Sequence, residues 1–379
     1  MQYYEMFPGM NVSRLGFGVM RMPQTEDGQI DRELSMKMLK KAYDAGVNYY
    51  DTAQGYHDGD SKYLVGEFID TIDRSTVYVA NKMPMWGTTT LEKAKEIFQE
   101  QLDACRVQYF DNYLLHSVNR EVLDSATRLG VIDYLFEEKE AGRIKHLGFS
   151  FHDTYEVFIE TLDAAPWEFC QLQINYVDTE IQAGLKGMRL AAERGLPVIV
   201  MEPVKGGNLA VLPEDAMAVL EAVDPEASAS SWALRYVADF DEVALILSGM
   251  SAMDHVEDNL KTFIDYKPLD DEDRAAIDRV QQIFNERSRN GCTTCQYCMP
   301  CPFGVNIPGN FEPWNHAGRF GNFDGFMNRE KAFREGDEDQ SPLACTECGA
   351  CIPLCPQGIP IPDDLKRLEA EYQELLAKA

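Results

Sequence analysis

Four ionisable residues stand where short apolar runs give out: Asp51 after VNYY, Lys82 after VYVAN, His116 after NYLL, and Tyr56 five residues beyond Asp51. A set of this kind is suited to handing a proton to an oxygen atom. A phenol, with an ordinary pKa of about 10, is a weak acid at neutral pH. An ammonium beside it stabilises the phenolate and lowers that value. A carboxylate would hold the ammonium, an imidazole would orient a carbonyl oxygen, and the phenol would then donate as a general acid. Alone, an Asp or Lys at a strand end is ordinarily capped or solvated, and a lone His is ordinarily a satisfied core or rim residue. Their joint occurrence with Tyr56 reads as a site.

A second chemistry is written in cysteine. Eight of the ten cysteines lie between Cys292 and Cys355. One group runs Cys292-x2-Cys295-x2-Cys298-x2-Cys301-Pro302, the other Cys345-x2-Cys348-x2-Cys351-x3-Cys355-Pro356. Triplets followed by Cys-Pro suit [4Fe–4S] clusters; in the bacterial ferredoxin run the last Cys ligates the other cluster. By that rule one cluster takes Cys292, Cys295, Cys298 and Cys355, and the other takes Cys345, Cys348, Cys351 and Cys301. Cys301 comes one residue early, so its place in the set is open. Two zinc sites would also use eight thiolates, but zinc modules separate C-x2-C pairs rather than running them as triplets. Disulfides suit neither the tight spacing nor a chain without signs of secretion. Cys105 and Cys170 fall on apolar faces and read as small core residues.

The elements that must position these groups alternate. The runs RLGFGVM, VNYYD, TVYVANK, DNYLLH, IKHLGFS, FCQLQIN, LPVIVM and VALILSG each have the length and composition of a strand buried on both faces. Between them lie helical patterns, at 33–45, 127–141, 179–194, 226–238 and 253–264. In LEKAKEIFQEQLDAC, Leu91, Ala94, Ile97, Phe98 and Leu102 share a face and Thr90 is placed to cap it. Eight strands alternating with helices predict a parallel (β/α)8 TIM barrel, α/β in class, whose chemistry sits at the strand C-termini. The first 15 residues would cap the barrel floor. A helix from Asp271 to about Asn285 should pack outside the barrel and lead to the cysteines. The predicted division is 1–288 for the barrel and 289–379 for a small, mainly α-helical iron–sulfur domain. In that domain GNFEPWNHAGRFGNFDGF reads as loop and short helix, and 363–378 as a terminal helix. Trp86 and the Trp314–Phe326 region could line a pocket or simply pack.

The chain carries 35 Lys and Arg against 63 Asp and Glu, a formal charge of −28. Such a surface repels phosphate backbones and anionic lipid, which argues against nucleic-acid and membrane partners. The start, MQYYEMFPGM, lacks a signal-peptide pattern, and no apolar run is long enough to span a bilayer. A soluble cytoplasmic protein is expected; the oligomeric state is not readable.

YYDTAQGY, NK and LLH resemble the motifs of the aldo-keto reductase family, over roughly residues 12–265. The resemblance implies a catalytic tetrad of Asp51, Tyr56, Lys82 and His116, and a nicotinamide cofactor across the barrel mouth. It places Ser150 and Gln171 at the carboxamide, Met201 where the family often stacks an aromatic ring, and Gly206 and Gly207 beneath the pyrophosphate. Gly249, Asp258 and Asn259 fall at the adenosine end, and Arg21 joins the cofactor set. His255 stands where NADP-using members carry Arg, and a 2′-phosphate wants a fixed cation, so NAD versus NADP is open. With GCTTCQYCMPCP and ACTECGACIPLCPQ, the chain resembles the bacterial group of the family that carries a C-terminal 4Fe-4S domain. The implied activity is NAD(P)H-dependent reduction of an aldehyde or ketone to an alcohol. A nicotinamide passes an electron pair and a cluster single electrons, and no flavin signature joins them. Two other readings therefore stand: a non-catalytic subunit sensing redox state or nicotinamide, and an enzyme exchanging electrons through its clusters with a partner such as ferredoxin.

Overall fold

The computed structural model describes residues 1–336 and 338–378. It divides into two compact units: residues 1–210 with 226–271, and residues 211–225 with the chain from Glu272 onward.

The first unit opens with an antiparallel hairpin, β1 (Tyr3–Phe7) and β2 (Met10–Ser13). Eight strands follow: β3 (Leu15–Gly18), β4 (Tyr49–Asp51), β5 (Tyr78–Met83), β6 (Phe110–Val118), β7 (Ile144–Phe151), β8 (Phe169–Gln173), β9 (Val198–Met201) and β10 (Val243–Gly249). All eight pair in parallel, in sequence order, and β10 closes on β3. The barrel anticipated from the alternation is the one observed. Its interior cluster joins Tyr49, Leu114, Phe169, Ile199 and Leu245 to Met6, Met10 and Val12 of the hairpin, which plugs the floor. The interior leaves no room at Gly148, where a Cβ would lie 2.4 Å from the Phe169 carbonyl oxygen.

A larger apolar cluster fills the space between strands and helices. The helix Leu91–Ala104 buries Ala94, Ile97, Phe98 and Leu102, and the Thr90 hydroxyl accepts from Lys93 N at 3.2 Å, the cap expected. The pattern at 127–141 is not one helix. Gly130, at φ 71°, separates Arg120–Arg128 from Val131–Glu140, because a left-handed residue ends the hydrogen-bond ladder. The helix expected from residue 179 begins at Gly184.

The second unit is helical, with helices Asp271–Arg287, Ile307–Phe320, Asp324–Glu335 and Ile361–Leu376. The Gly- and Asn-rich stretch read as loop and short helix is mostly helix, fourteen residues capped by the Asn306 side chain and ended by Gly321 at φ 71°. Phe311, Trp314 and Ala317 recur at helical spacing and enter a core with Phe326, Ile361, Leu365, Leu368 and Tyr372, and that burial outweighs the weak propensity of Gly and Asn. Trp314 and Phe326 are thus core residues. Glu371 ties the unit together, accepting from Arg289 Nη2 at 2.6 Å and from Trp314 Nε1 at 2.7 Å. Among the described residues no helix is long and apolar enough to cross a membrane.

Candidate active site and cysteine loops

Asp51 ends β4, Lys82 is the penultimate residue of β5, and His116 lies near the end of β6. Lys82 is wholly buried. Its ammonium donates to Asp51 Oδ1 at 2.5 Å, to the Thr52 carbonyl oxygen at 2.8 Å and to the Tyr56 hydroxyl at 3.3 Å. Burial alone would lower the lysine pKa; the Asp51 carboxylate and the Tyr56 oxygen outweigh it and hold the group cationic. Tyr56 opens a short turn whose next residues, His57 and Asp58, are left-handed at φ 50° and 53°. His57 Nε2 accepts from Met22 N at 3.0 Å, which fastens this turn to the segment after β3.

His116 is brought to Tyr56 by a break in its strand. The β6–β7 register shifts between Leu115 and Val118, and Ser117 takes φ 52°, a bulge of the kind that re-aims side chains beside sites. Ser117 N donates to Ser150 Oγ at 2.8 Å. The His116 ring then stands edge-on to Tyr56, centroids 6.0 Å apart, with Trp86 at 4.8 Å on another side. Burial, then the Lys82 ammonium, push the His116 pKa well below the usual histidine range. The imidazole is therefore neutral at physiological pH, able to donate one N–H without adding charge. For Tyr56, burial raises the pKa more than Lys82 lowers it. Lys82 pulls the value down as the sequence predicted, but desolvating the phenolate is the larger effect.

Sequence reading missed Gln101. Its amide nitrogen donates to the Lys82 carbonyl oxygen at 2.9 Å and to Gln54 Oε1 at 3.1 Å, and its oxygen accepts from Tyr113 at 2.6 Å. The signal was there, since Gln101 is a polar residue on the apolar face of an amphipathic helix.

The residues expected to hold a cofactor fall in two places. Arg21, Gly206, Gly207, Gly249, Asp258 and Asn259 line a cavity of about 440 Å³. Arg21 reaches Glu202 across it at 3.4 Å, and His255 and Asp254 line the same cavity. Asp258 accepts from Ser228 at 2.6 Å and Asn259 donates to Ser248 at 2.8 Å, so both are already engaged within the protein. Ser150 and Met201 lie near the ends of β7 and β9, and Gln171, paired with Ser150, lies in the middle of β8 between them. Gln171 Nε2 donates to Met201 Sδ at 3.3 Å, while its Oε1 is buried without a partner. A buried acceptor is costly unless something donates to it, and a carboxamide N–H₂ is such a donor. The cleft and this orphaned oxygen fit a nicotinamide dinucleotide.

The two cysteine loops follow one backbone course. Thr294 and Glu347, each two residues after the first Cys, are left-handed at φ 57° and 58°. Gln296 and Gly349, each one residue after the second Cys, are left-handed at φ 67° and 74°. Cys292, Cys295, Cys298 and Cys355 line one small cavity. The Cys298 thiol interacts electrostatically with Cys292, Cys295 and Cys355, and the Cys351 thiol with Cys345, Cys348 and Cys301. Among the described residues no group of three or more His, Cys, Asp and Glu side chains is placed to hold a metal ion. Cys105 and Cys170 are buried; burial pushes the Cys105 thiol up to about 12.

Residues 14–282 match the aldo/keto reductase family, and residues 291–359 match the 4Fe-4S dicluster domain. The protein belongs to the aldo/keto reductase family, as an oxidoreductase of that type with a C-terminal 4Fe-4S domain. It is similar to an uncharacterized oxidoreductase of Schizosaccharomyces pombe, 27% identical over 265 residues that cover 66% of this chain and 82% of the relative. It is also similar to the NADH-specific methylglyoxal reductase of Escherichia coli, 26% identical over 227 residues, 53% of this chain and 66% of that enzyme. The structure of an aldo-keto reductase from Klebsiella pneumoniae in complex with NADPH superposes with a TM-score of 0.61 at 20% identity, covering 74% of this chain and 95% of that one. At that identity the structural likeness concerns the fold.

Proposed function

We propose that the barrel reduces a small aldehyde or ketone to an alcohol at Tyr56, Lys82, His116 and Asp51, with NADH or NADPH as reductant. The observation that carries this reading is the Lys82 ammonium, wholly buried, shared between Asp51 and the Tyr56 hydroxyl. When bound, the nicotinamide supplies a hydride. Gln171 Oε1 and Ser150 would hold its carboxamide, and Arg21, Gly206, Gly207 and Gly249 the rest of the dinucleotide. Neutral His116 orients the carbonyl oxygen, and Tyr56 gives that oxygen its proton. Lys82 steadies the phenolate left behind, and Asp51 keeps Lys82 charged and in place. Each group acts in a pocket of little water, where such dipoles count for more. The relatives support the cofactor class, one being NADH-specific by name and one being bound to NADPH.

The cysteine unit, in this reading, holds two [4Fe–4S] clusters, one on Cys292, Cys295, Cys298 and Cys355, the other on Cys345, Cys348, Cys351 and Cys301. The pairing of thiols in space and the matched loop conformations support it.

The test is anaerobic turnover of NADH and NADPH against a panel of carbonyl compounds, with Tyr56→Phe alongside. Loss of about 10²–10⁴-fold in the variant, the usual worth of a positioned acid, with unchanged cofactor binding supports the assignment. Wild-type turnover in the variant removes Tyr56 from the mechanism.

A further inference from the structure

The two cysteine loops share a backbone but not their surroundings. Thr293, Thr294 and Cys295 are half-buried, whereas the matched Thr346, Glu347 and Cys348 are exposed. Among the described residues Cys348 is the one exposed cysteine. The apolar residues around the two sets differ in the same sense. The cavity lined by Cys292, Cys295, Cys298 and Cys355 is backed by Ile307, Phe311, Ile359 and Ile361, none more than 5% exposed. Beside the other set, Phe303, Leu343 and Ile352 are 47%, 60% and 45% exposed. Phe303 follows Cys301 by two residues, Leu343 precedes Cys345 by two, and Ile352 follows Cys351 directly. Single exposed apolar side chains need no explanation, and it is Cys348, the one exposed thiol, that sets the second set apart. The first set has exposed apolar neighbours too, Tyr297 before Cys298 at 49% and Leu354 before Cys355 at 53%, so the distinction rests on the buried backing of its cavity and on the exposed Cys348 thiol.

We infer that the set Cys301, Cys345, Cys348 and Cys351 is the electron port of the protein, and that the set Cys292, Cys295, Cys298 and Cys355 is the interior one. The inference rests on the two-cluster reading above. The step at the port is a single-electron exchange: an external one-electron donor is oxidised by one electron, the cluster is reduced by one, and no bond forms or breaks. Electron transfer weakens steeply with the thickness of protein to be crossed, so the cluster with an exposed thiolate exchanges first. Solvent also stabilises the added negative charge of a reduced cluster, so the exposed set has the higher potential, exposure being one of the terms that sets it.

The experiment uses the full-length protein, purified anaerobically with its clusters and reduced with dithionite. Electron paramagnetic resonance saturation is recorded with and without a soluble dysprosium chelate, which speeds relaxation only of centres near the surface. Cys348→Ser and Cys295→Ser assign the signals. Each variant either alters one signal through serine ligation or deletes it, and both outcomes identify the cluster. The expected result is a several-fold stronger effect of the chelate on the signal assigned through Cys348. An equal or stronger effect on the signal assigned through Cys295 overturns the port. Purified wild-type protein with no iron and no sulfide overturns the cluster reading itself, a distinct failure visible before any variant is made.

Discussion

Gln101 holds the backbone of Lys82, its side-chain amide donating to the Lys82 carbonyl oxygen at 2.9 Å. The same amide grips Gln54, two residues before Tyr56. One side chain on a barrel helix therefore sets the spacing between the ammonium and the loop that carries the phenol. Gln101→Leu removes these bonds and the one it accepts from Tyr113, leaving the buried Lys82 carbonyl oxygen and Tyr113 hydroxyl without partners at about 1–3 kcal/mol each. Small misplacements of reacting groups are amplified, up to about 10²-fold for 1 Å. The expected outcome is a fall in kcat of about 10–10²-fold, with nicotinamide affinity unchanged and a lowered Tm. If kcat holds while Tm falls, Gln101 is structural only.

The protonation of Tyr56 makes a second prediction. Its folded pKa lies above the ordinary phenol value because burial outweighs Lys82. The acid form then persists throughout the neutral range, and kcat/KM for carbonyl reduction should fall on the alkaline side only above about pH 10. An alkaline limb near pH 8 that disappears in Tyr56→Phe would show that Lys82 controls the phenol after all.

His116 ties the site to stability. Its pKa is depressed on folding, chiefly by burial, and that of His152 is lowered by burial too. Between the depressed folded value and the unfolded value of about 6.5, the unfolded chain binds more protons than the folded one. Stability therefore rises with pH through that window, is fully present above it, and is lost as pH falls toward the folded value. The slope is at most about 1.4 kcal/mol per pH unit for each histidine. Denaturant unfolding at pH 5 and pH 7 should show wild-type protein weaker at pH 5, with a smaller difference in His116→Gln. An unchanged difference in that variant would place the histidine in water.

The sequence carried the barrel because both-face burial makes its strands continuous apolar runs, and it carried Asp51, Lys82 and His116 because parallel strands expose chemistry only at their ends. Tyr56 followed from its place five residues beyond Asp51, from the acid chemistry of a phenol and from the motif YYDTAQGY. What it could not carry were effects of closure. The bulge at Ser117, the Gln101 bonds and the orphaned oxygen of Gln171 depend on neighbours brought together by the fold. The helix Ile307–Phe320 was misread because Gly and Asn obscured the spacing of Phe311, Trp314 and Ala317. Cysteine spacing needed no fold, since its ligand logic is local, and the ferredoxin rule already gave the crossed sets, with only Cys301, one residue early, left open.

Cofactor choice turns on His255. It lines the cleft beside Asp254 and Asp258, and its Nδ1 accepts from Ser251 N at 3.3 Å. Beside His255 stand the carboxylates Asp254 and Asp258, and the guanidinium in the same cleft, Arg21, is turned to Glu202 at 3.4 Å. NADPH should bind no more than about tenfold more tightly than NADH, and His255→Arg should improve NADPH affinity by about 1–2 kcal/mol, the scale of a charge-assisted hydrogen bond. Fluorescence titration of both cofactors checks this. A native preference of a thousandfold for NADPH would mean that another cation reaches the phosphate.

The crossed ligand sets give the last prediction. Cys355 lies in the second run, yet it lines a cavity with Cys292, Cys295 and Cys298, and Cys301 of the first run acts on the Cys351 thiol. Anaerobic protein should hold about eight irons and eight sulfides, the content of two cubanes. Cys355→Ala should damage the cluster that Cys295→Ala damages, and Cys301→Ala the one that Cys348→Ala damages, each single variant retaining about four irons. Iron and sulfide analysis with resonance spectra of the reduced variants decides it. If the lesions instead pair Cys301 with Cys295 and Cys355 with Cys348, each run builds its own cluster and the crossing is absent. If Cys301→Ala leaves both clusters intact, that cluster takes its fourth ligand from another residue, and the short Cys298–Cys301 spacing is the reason.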